Sequence, residues 1–557
     1  MKTLQKLLKE LGLPLVGFML LTILLTYPVF LNISTCFMGD GYDGFQNAWN
    51  LWWVKTALTK NFTNPYFTEY LHHPNGVTLL FHTLNPFNGL ISIPLQPFFR
   101  MEIVYNVIVF FSFIMSGIGM YILAFYLTKN KFASLIAGII YTFCPYHMAH
   151  ALGHLQLIAM EWIPFYIFFL LKLLQEPERK NILWCSFFLI LTTFCSWYYL
   201  LYSLFFTAIL ISGAAIKRRR GFLLDGTLTR LIVMLVIVFG VLSPLIVSMI
   251  ITGTKEVFLG THNPENFSAD LTSFFVPSAI STWGRMWCRN IWSTWSGNTA
   301  ENSNFLGYTV LALSIYAAIR VRKTRIWGVA GIFAFIMALG PYLHVMGRQI
   351  RVPLPYLFFH KYVPYFSMTG VPERFDLMLK FSMAILSAYA VAHITKTHFH
   401  SGAKSSRNVI FPLTVAGLIC LEYLTIPYPM TRVSVPEFYR QMAKDTEEYA
   451  IIDIPDTPLT LYYATIHEKP IVGGYVSRLP VKTMGFLYQT PIISTLICGT
   501  PSPAPEKLDE AIATLREYNI RYILTHNNRH RKFLEQTLRL KKIYDQQHLQ
   551  VYDLRLR

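Results

Sequence analysis

The chain of 557 residues is 53% hydrophobic, 15% aromatic and only 14% charged, with a formal net charge of +18. A soluble domain carries roughly 25% charged residues, so the composition excludes an ordinary soluble domain and points to a multi-pass protein of the cell membrane. In a soluble chain the basic excess would suggest nucleic acid, but here its placement along the chain has another explanation, and no nucleic-acid partner is expected.

The start, "MKTLQKLLKELGLPLVGFMLLTILLTYPVFL", is basic and then apolar for longer than the core of a signal peptide, with no small-residue cleavage site after it. It reads as a retained first transmembrane helix. A crossing helix needs about 20 apolar residues. By that measure, spans are expected near 12–31, 103–127, 132–149, 155–174, 182–197, 199–216, 230–251, 306–319, 326–345, 376–395 and 408–426, eleven in all. The turn "SWYY" between 182 and 216 sits in continuous apolar sequence, and one long bent helix there would change the parity.

Charge distinguishes the two sides. Segments 1–11, 128–131, 172–181, 217–230, 320–325 and 396–407 hold 20 Lys and Arg against four acids. Short loops rich in Lys and Arg stay in the cytoplasm, and with eleven spans all six fall on one side. The N-terminus is therefore expected inside. Loops 32–102, 145–154, 252–305 and 346–375, with the tail, are expected outside. In that tail "YAIIDIP" (449–455) and "RYILTH" (521–526) read as strands, and "PEKLDEAIATLREYNI" (505–520) as a helix. The expected architecture is mainly α: a polytopic helix bundle over 1–431 and a small extracytoplasmic α/β domain over 432–557. The seven cysteines are scattered and form no CxxC pair, so no disulfide framework or zinc ribbon is expected.

The first outer loop opens with "GDGYDGFQNAWNLWW" (39–53). Of its four acids, Asp40 and Asp43 crowd one glycine-rich turn, the other two being Glu69 and Glu102. Phe45, Trp49, Trp52 and Trp53 follow on one broad helical face. Such a face is either an aromatic belt at the membrane interface or a stacking surface for a sugar. Further on, His72, His73 and His82 lie in a loop structured by prolines and the Asn75-Gly76 pair; histidines there bind phosphate or metal or are plain loop residues. In "CPYHMAHALGHLQL", His147, His150 and His154 share a helical face, a spacing zinc sites use. No further ligand is near in sequence, and contact with a lipid headgroup is the alternative. Asp270 and Glu301 stand isolated near the membrane boundary, where ionisable groups are functional or paired; Arg285 and Arg289 are loop partners open to Glu301. "VPERFD" places Glu373, Arg374 and Asp376 at the entry to the tenth span. An arginine fork suits a phosphate, and a local Glu–Arg pair is the equal alternative.

The Gly/Asp turn, the Trp-rich helix, "HPNG", the multi-span body, "VPERF" and "KPIVGGYVSR" (469–478) together resemble the GT-C superfamily of membrane glycosyltransferases. The resemblance covers nearly the whole layout through short motifs. It implies an inverting transfer of a sugar from a polyprenyl phosphate or diphosphate carrier to a glycan, lipid or protein acceptor at the outer face, with an essential acid in the first outer loop. Asp43, with Asp40 as the other choice, matches that acid. The resemblance gives Arg374 the carrier phosphate, with aromatic rings as a stacking surface for the sugar; Glu301, Asp270, His72, His73, His154, Trp49 and Trp52 are the further residues expected among the substrate contacts. Metal-dependent members carry an acidic pair in the turn between the third and fourth spans, where this chain has histidines, so a metal-independent mechanism without a cofactor is expected. The tail lacks a WWDYG-type signature, so peptide sequons are not the implied acceptor. The competing classes are a flippase for lipid-linked glycans, which predicts ionisable groups along a path through the spans and a repeat across halves, and a non-catalytic envelope assembly factor.

Overall fold

The computed structural model describes residues 2–176, 178–219, 222, 225–363, 366–398 and 407–556. They form two compact units. One comprises 1–34, 106–243 and 262–430; the other comprises 35–105, 244–261 and 431–557.

Each expected span overlaps a helix, but the stretch expected at 326–345 is helical only to Ala338 and enters the strand Tyr342–Val345. Among the described residues, six helices are long and apolar enough to cross a membrane: Met101–Thr128, Lys131–His150, Leu155–Gln175, Trp197–Arg218, Thr227–Lys255 and Pro372–Thr397. Leu11–Leu25, Tyr308–Arg320 and Val409–Glu422 are shorter apolar helices. The ambiguous stretch at 182–216 is two helices, Arg179–Cys195 and Trp197–Arg218, parted at Ser196, whose φ of −162° and ψ of 133° are extended. Of the basic segments, Arg220 and most of 396–407 lie outside the described residues.

Small residues let helices of the first unit approach closely. The ring of Phe18 is fully buried between Gly117 and Gly138; a Cβ on Gly138 would stand 2.3 Å from it. Pro145 breaks the second long helix. Proline has no N–H to continue the ladder and pushes the residue before it toward extended geometry. Cys144 accordingly has ψ of 153°, and a new helix starts at Pro145 and runs to His150. That break aims the histidine-rich segment separately from the helix before it.

In the second unit, strands 450–454 and 520–525 pair in parallel. Strands 549–553 and 541–546 extend the sheet antiparallel beyond 520–525. The helix within 505–520 is Leu508–Glu517, amphipathic, with Leu508, Ile512 and Leu515 buried against the sheet. The tail does not pack alone. His72 and His73 donate backbone N–H groups to the carbonyls of Gly473 and Ile471 at 2.7 and 3.1 Å, and Ile471 donates to Tyr70 at 2.9 Å. Phe258–Leu259 pairs with Leu479–Pro480. The segments around "HPNG" and "KPIVGGYVSR", far apart in sequence, are thus joined by backbone hydrogen bonds.

The Trp-rich segment is the helix Tyr42–Thr59. Its tryptophans lie inside the unit: Trp49, Trp52 and Trp53 are 0%, 3% and 2% exposed. Trp49 stacks on Trp53 with ring centres 5.8 Å apart, and Tyr70 covers Trp52 and Trp53 at 5.5 Å. The Trp53 indole donates to the carbonyl of Pro65 at 2.9 Å. The expected aromatic belt or sugar platform is therefore corrected to a core: covering these rings removes more apolar surface from water than a belt position would.

Candidate functional site

In the second unit the glycine turn does what its composition suggests. Gly41 takes φ of +82°, and a Cβ there would meet the Thr431 side chain at 2.7 Å, so glycine is required on both counts. Asp40 is exposed, and its carboxylate accepts the Tyr42 N–H at 3.1 Å. Asp43 is half-buried in the first turn of the helix, where the helix dipole favours a negative charge.

Around Asp43 the tail supplies residues that sequence reasoning did not single out. Burial pushes the Tyr475 hydroxyl up to about 12, with Asp43 adding to the shift and Arg478 opposing it, so both charges act on this one hydroxyl. The buried imidazole of His82 is pushed down to about 3 by burial, with the Asp43 charge acting against that shift. Its Nδ1 accepts the Ser477 N–H at 3.2 Å and its Nε2 lies 3.0 Å from the Asn50 amide oxygen, an arrangement that fits a neutral ring protonated on Nε2. The Gln46 amide donates to Ser477 Oγ at 2.8 Å and to Thr83 Oγ1 at 3.0 Å. The only sequence signal for Tyr475, Ser477 and Arg478 was that "KPIVGGYVSR" stood out as a motif.

Other expected contacts turn out to be braces. His72 Nε2 donates to the Gly474 carbonyl at 2.9 Å and His73 Nε2 to the Tyr518 carbonyl at 2.9 Å. Burial holds His72 down at about 4. Both rings spend a donor on tail backbone and so anchor their loop to the tail. The same unit has a cleft of about 500 Å³ whose lining includes Lys55, Gln96, Arg100, Arg440 and Tyr462.

The first unit gathers a different set. Arg374 donates to one oxygen of Glu301 from Nε at 3.0 Å and from a terminal nitrogen at 2.6 Å. Its guanidinium also lies 4.8 Å from the Tyr198 ring centre. The arginine partner of Glu301 is thus Arg374, not Arg285 or Arg289, and Arg374 pairs with Glu301 rather than with its neighbour Glu373. Burial alone would raise the Glu301 carboxyl, but Arg374, with His150 beside it, overrides this and holds it at about 2. His150 Nε2 stands 3.8 Å from the other Glu301 oxygen, and its Nδ1 is 3.0 Å from Nδ1 of His154. His150, His154 and Glu301 therefore form a group able to hold a metal ion. His147 is turned away from it, with its ring nitrogens 2.7 and 2.9 Å from the carbonyl oxygens of Thr142 and Ile158.

Asp270 is buried at 2% exposure and acts as a loop clamp. Its carboxylate accepts from the N–H and hydroxyl of Thr272 at 2.9 and 2.5 Å, from Met346 N–H at 3.1 Å and from Gly347 N–H at 2.8 Å. Four donors fill its lone pairs.

The family model described as "Domain of unknown function (DUF6311)" matches residues 15–404. A comparison with curated proteins returns no match. Among solved structures, arabinofuranosyltransferase AftD from Mycobacteria shares 13% identity at a TM-score of 0.57, over 98% of this chain and 40% of AftD. ArnT from Cupriavidus metallidurans shares 9% identity at a TM-score of 0.50, over 97% of each chain. Both have the GT-C fold of membrane glycosyltransferases, and so does this chain.

Proposed function

The chain belongs to the DUF6311 family, and we propose that it is an inverting glycosyltransferase. It moves a sugar from a polyprenyl phosphate or diphosphate carrier to an acceptor hydroxyl of a glycan, lipid or protein at the outer face of the membrane. The observation that carries this reading is Asp43: a half-buried carboxylate in the first turn of its helix, whose charge acts on the Tyr475 hydroxyl, on which the Arg478 guanidinium acts in the opposite sense.

In the proposed reaction Asp43 accepts the proton of the acceptor hydroxyl as its oxygen attacks the anomeric carbon, a general-base step. The bond from that carbon to the carrier phosphate breaks on the opposite face, which inverts the configuration. The departing phosphate takes the bonding pair, and a fixed cation stabilises its charge. Arg478 is the guanidinium within the Asp43 unit that suits this role. Arg374, given the carrier phosphate by the resemblance, already spends Nε and one terminal nitrogen on Glu301.

The test supplies detergent-purified protein with polyprenyl-phosphate sugars and candidate acceptors and measures release of the carrier phosphate. Turnover by the wild type, lost in the Asp40→Asn/Asp43→Asn double variant, is the expected result. Full turnover by the double variant, or none by the wild type across the donor panel, sinks the reading.

A further inference from the structure

We infer that His150, His154 and Glu301 form a binding site for a zinc-class divalent ion that pins the turn at 145–154 to the loop at 298–306. The three side chains come from the short helix Pro145–His150, the turn after it and a distant loop, yet their ligand atoms all lie within 4.8 Å of one another. His150 is fully buried and Glu301 is 4% exposed. Within this cluster His150 Nε2 and Glu301 Oε2 face each other at 3.8 Å, and neither makes a hydrogen bond. A buried acceptor without a partner costs free energy, and two such atoms aimed at one point are what a shared ion explains.

The distances and chemistry agree. Ligands bound at about 2.0–2.2 Å in a tetrahedral site stand about 3.4 Å apart, so the 3.8 Å gap closes with a shift of a few tenths of an ångström. Two imidazoles with one carboxylate select zinc and its transition-metal neighbours, whereas magnesium and calcium prefer all-oxygen sets. The donors also differ in kind from the acidic pair by which metal-dependent GT-C members are known. An outer contact of a metal site is present too: Arg374 fixes the remaining Glu301 oxygen. Three protein ligands leave a fourth position open. This site does not depend on the proposed reaction, because its evidence is the coordination geometry.

The test measures metal content of the full chain, purified in detergent through an affinity tag that contains no histidine. About one zinc per chain is expected, falling at least about tenfold in His150→Ala and in His154→Gln. The second variant changes a half-buried ring and leaves the Glu301–Arg374 pair intact. Chelator-stripped protein should show a rise in Tm on adding zinc chloride that magnesium chloride does not reproduce. Zinc content unchanged in both variants overturns the site. So does stripped protein that neither binds zinc nor shifts its Tm with it.

Discussion

Arg374 and Glu301 meet as a buried pair, with both guanidinium contacts on a single carboxylate oxygen, at 3.0 and 2.6 Å, while the side chains are only 8% and 2% exposed. Removing one partner leaves an uncompensated buried charge, a loss of about 3–5 kcal/mol. Arg374→Met should lower the thermal unfolding temperature in detergent markedly. Glu301→Leu added to it should restore most of the loss, because two apolar side chains bury no charge. An unfolding temperature for the single variant equal to that of wild type would show the pair to be dispensable.

Acid should loosen the second unit well before it touches that pair. His72, His82 and His467 are held by burial at about 4, 3 and 3, against about 6.5 in an unfolded chain. Their folded pKa values are depressed, so the unfolded state binds more protons below pH 6.5. Stability is full above that pH and falls as pH drops toward 4, by up to about 1.4 kcal/mol per pH unit for each ring. Asp456, raised by burial to about 6, works in the opposite direction between about pH 4 and 6. The net effect is a fall worth about two histidines. Glu301, held at about 2, adds its own loss only below about pH 4.3. Thermal unfolding at pH 7.5, 6 and 5 checks this. The midpoint should drop across the series, and His82→Gln should flatten the drop. A midpoint independent of pH over this range contradicts it.

Asp43 and Asp40 should separate kinetically if the proposed reaction holds. Asp43→Asn removes the base, and kcat should fall about 10²- to 10⁴-fold with a smaller change in KM. Asp40 is exposed and already accepts the Tyr42 N–H, so Asp40→Asn should cost far less. The reverse order of effects would move the base to Asp40.

The tryptophan core gives a stability prediction without reference to activity. Trp53→Ala removes an indole that stacks on Trp49 and bonds to Pro65, for a loss of about 3–5 kcal/mol. Trp53→Phe keeps most of the volume and should cost less. Thermal unfolding of both variants decides it; a cost below about 1 kcal/mol for Trp53→Ala would place the ring in solvent or lipid rather than in a core.

Much of this architecture was legible in the sequence because its signals are local. Apolar length marks a helix wherever it packs, and each expected span overlaps one, though 326–345 ends in the strand Tyr342–Val345. The break at Ser196 was audible in "SWYY", and the strands at 450–454 and 520–525 in their β-branched runs. What failed was inference about partners. The exposed-looking tryptophan stripe is a core, because nothing in residues 42–59 announces that Tyr70 will cover it. Arg285 and Arg289 were the near candidates for Glu301, but sequence proximity does not set the distance between charges, and Arg374 took the place.

By itself the sequence determined which stretches are helical and apolar, that Gly41 turns the chain between Asp40 and Asp43, and which residue types are present to do chemistry. Those properties depend on neighbours a few residues away. Only the tertiary structure decided that His72 and His73 brace the tail and that Asp270 clamps a loop. It also decided that the charges of Asp43 and Arg478 both act on the Tyr475 hydroxyl, and that Glu301 completes a group with His150 and His154. Hydrogen bonds and charges act over a few ångströms of space, and only folding brings residues so distant along the chain within that range.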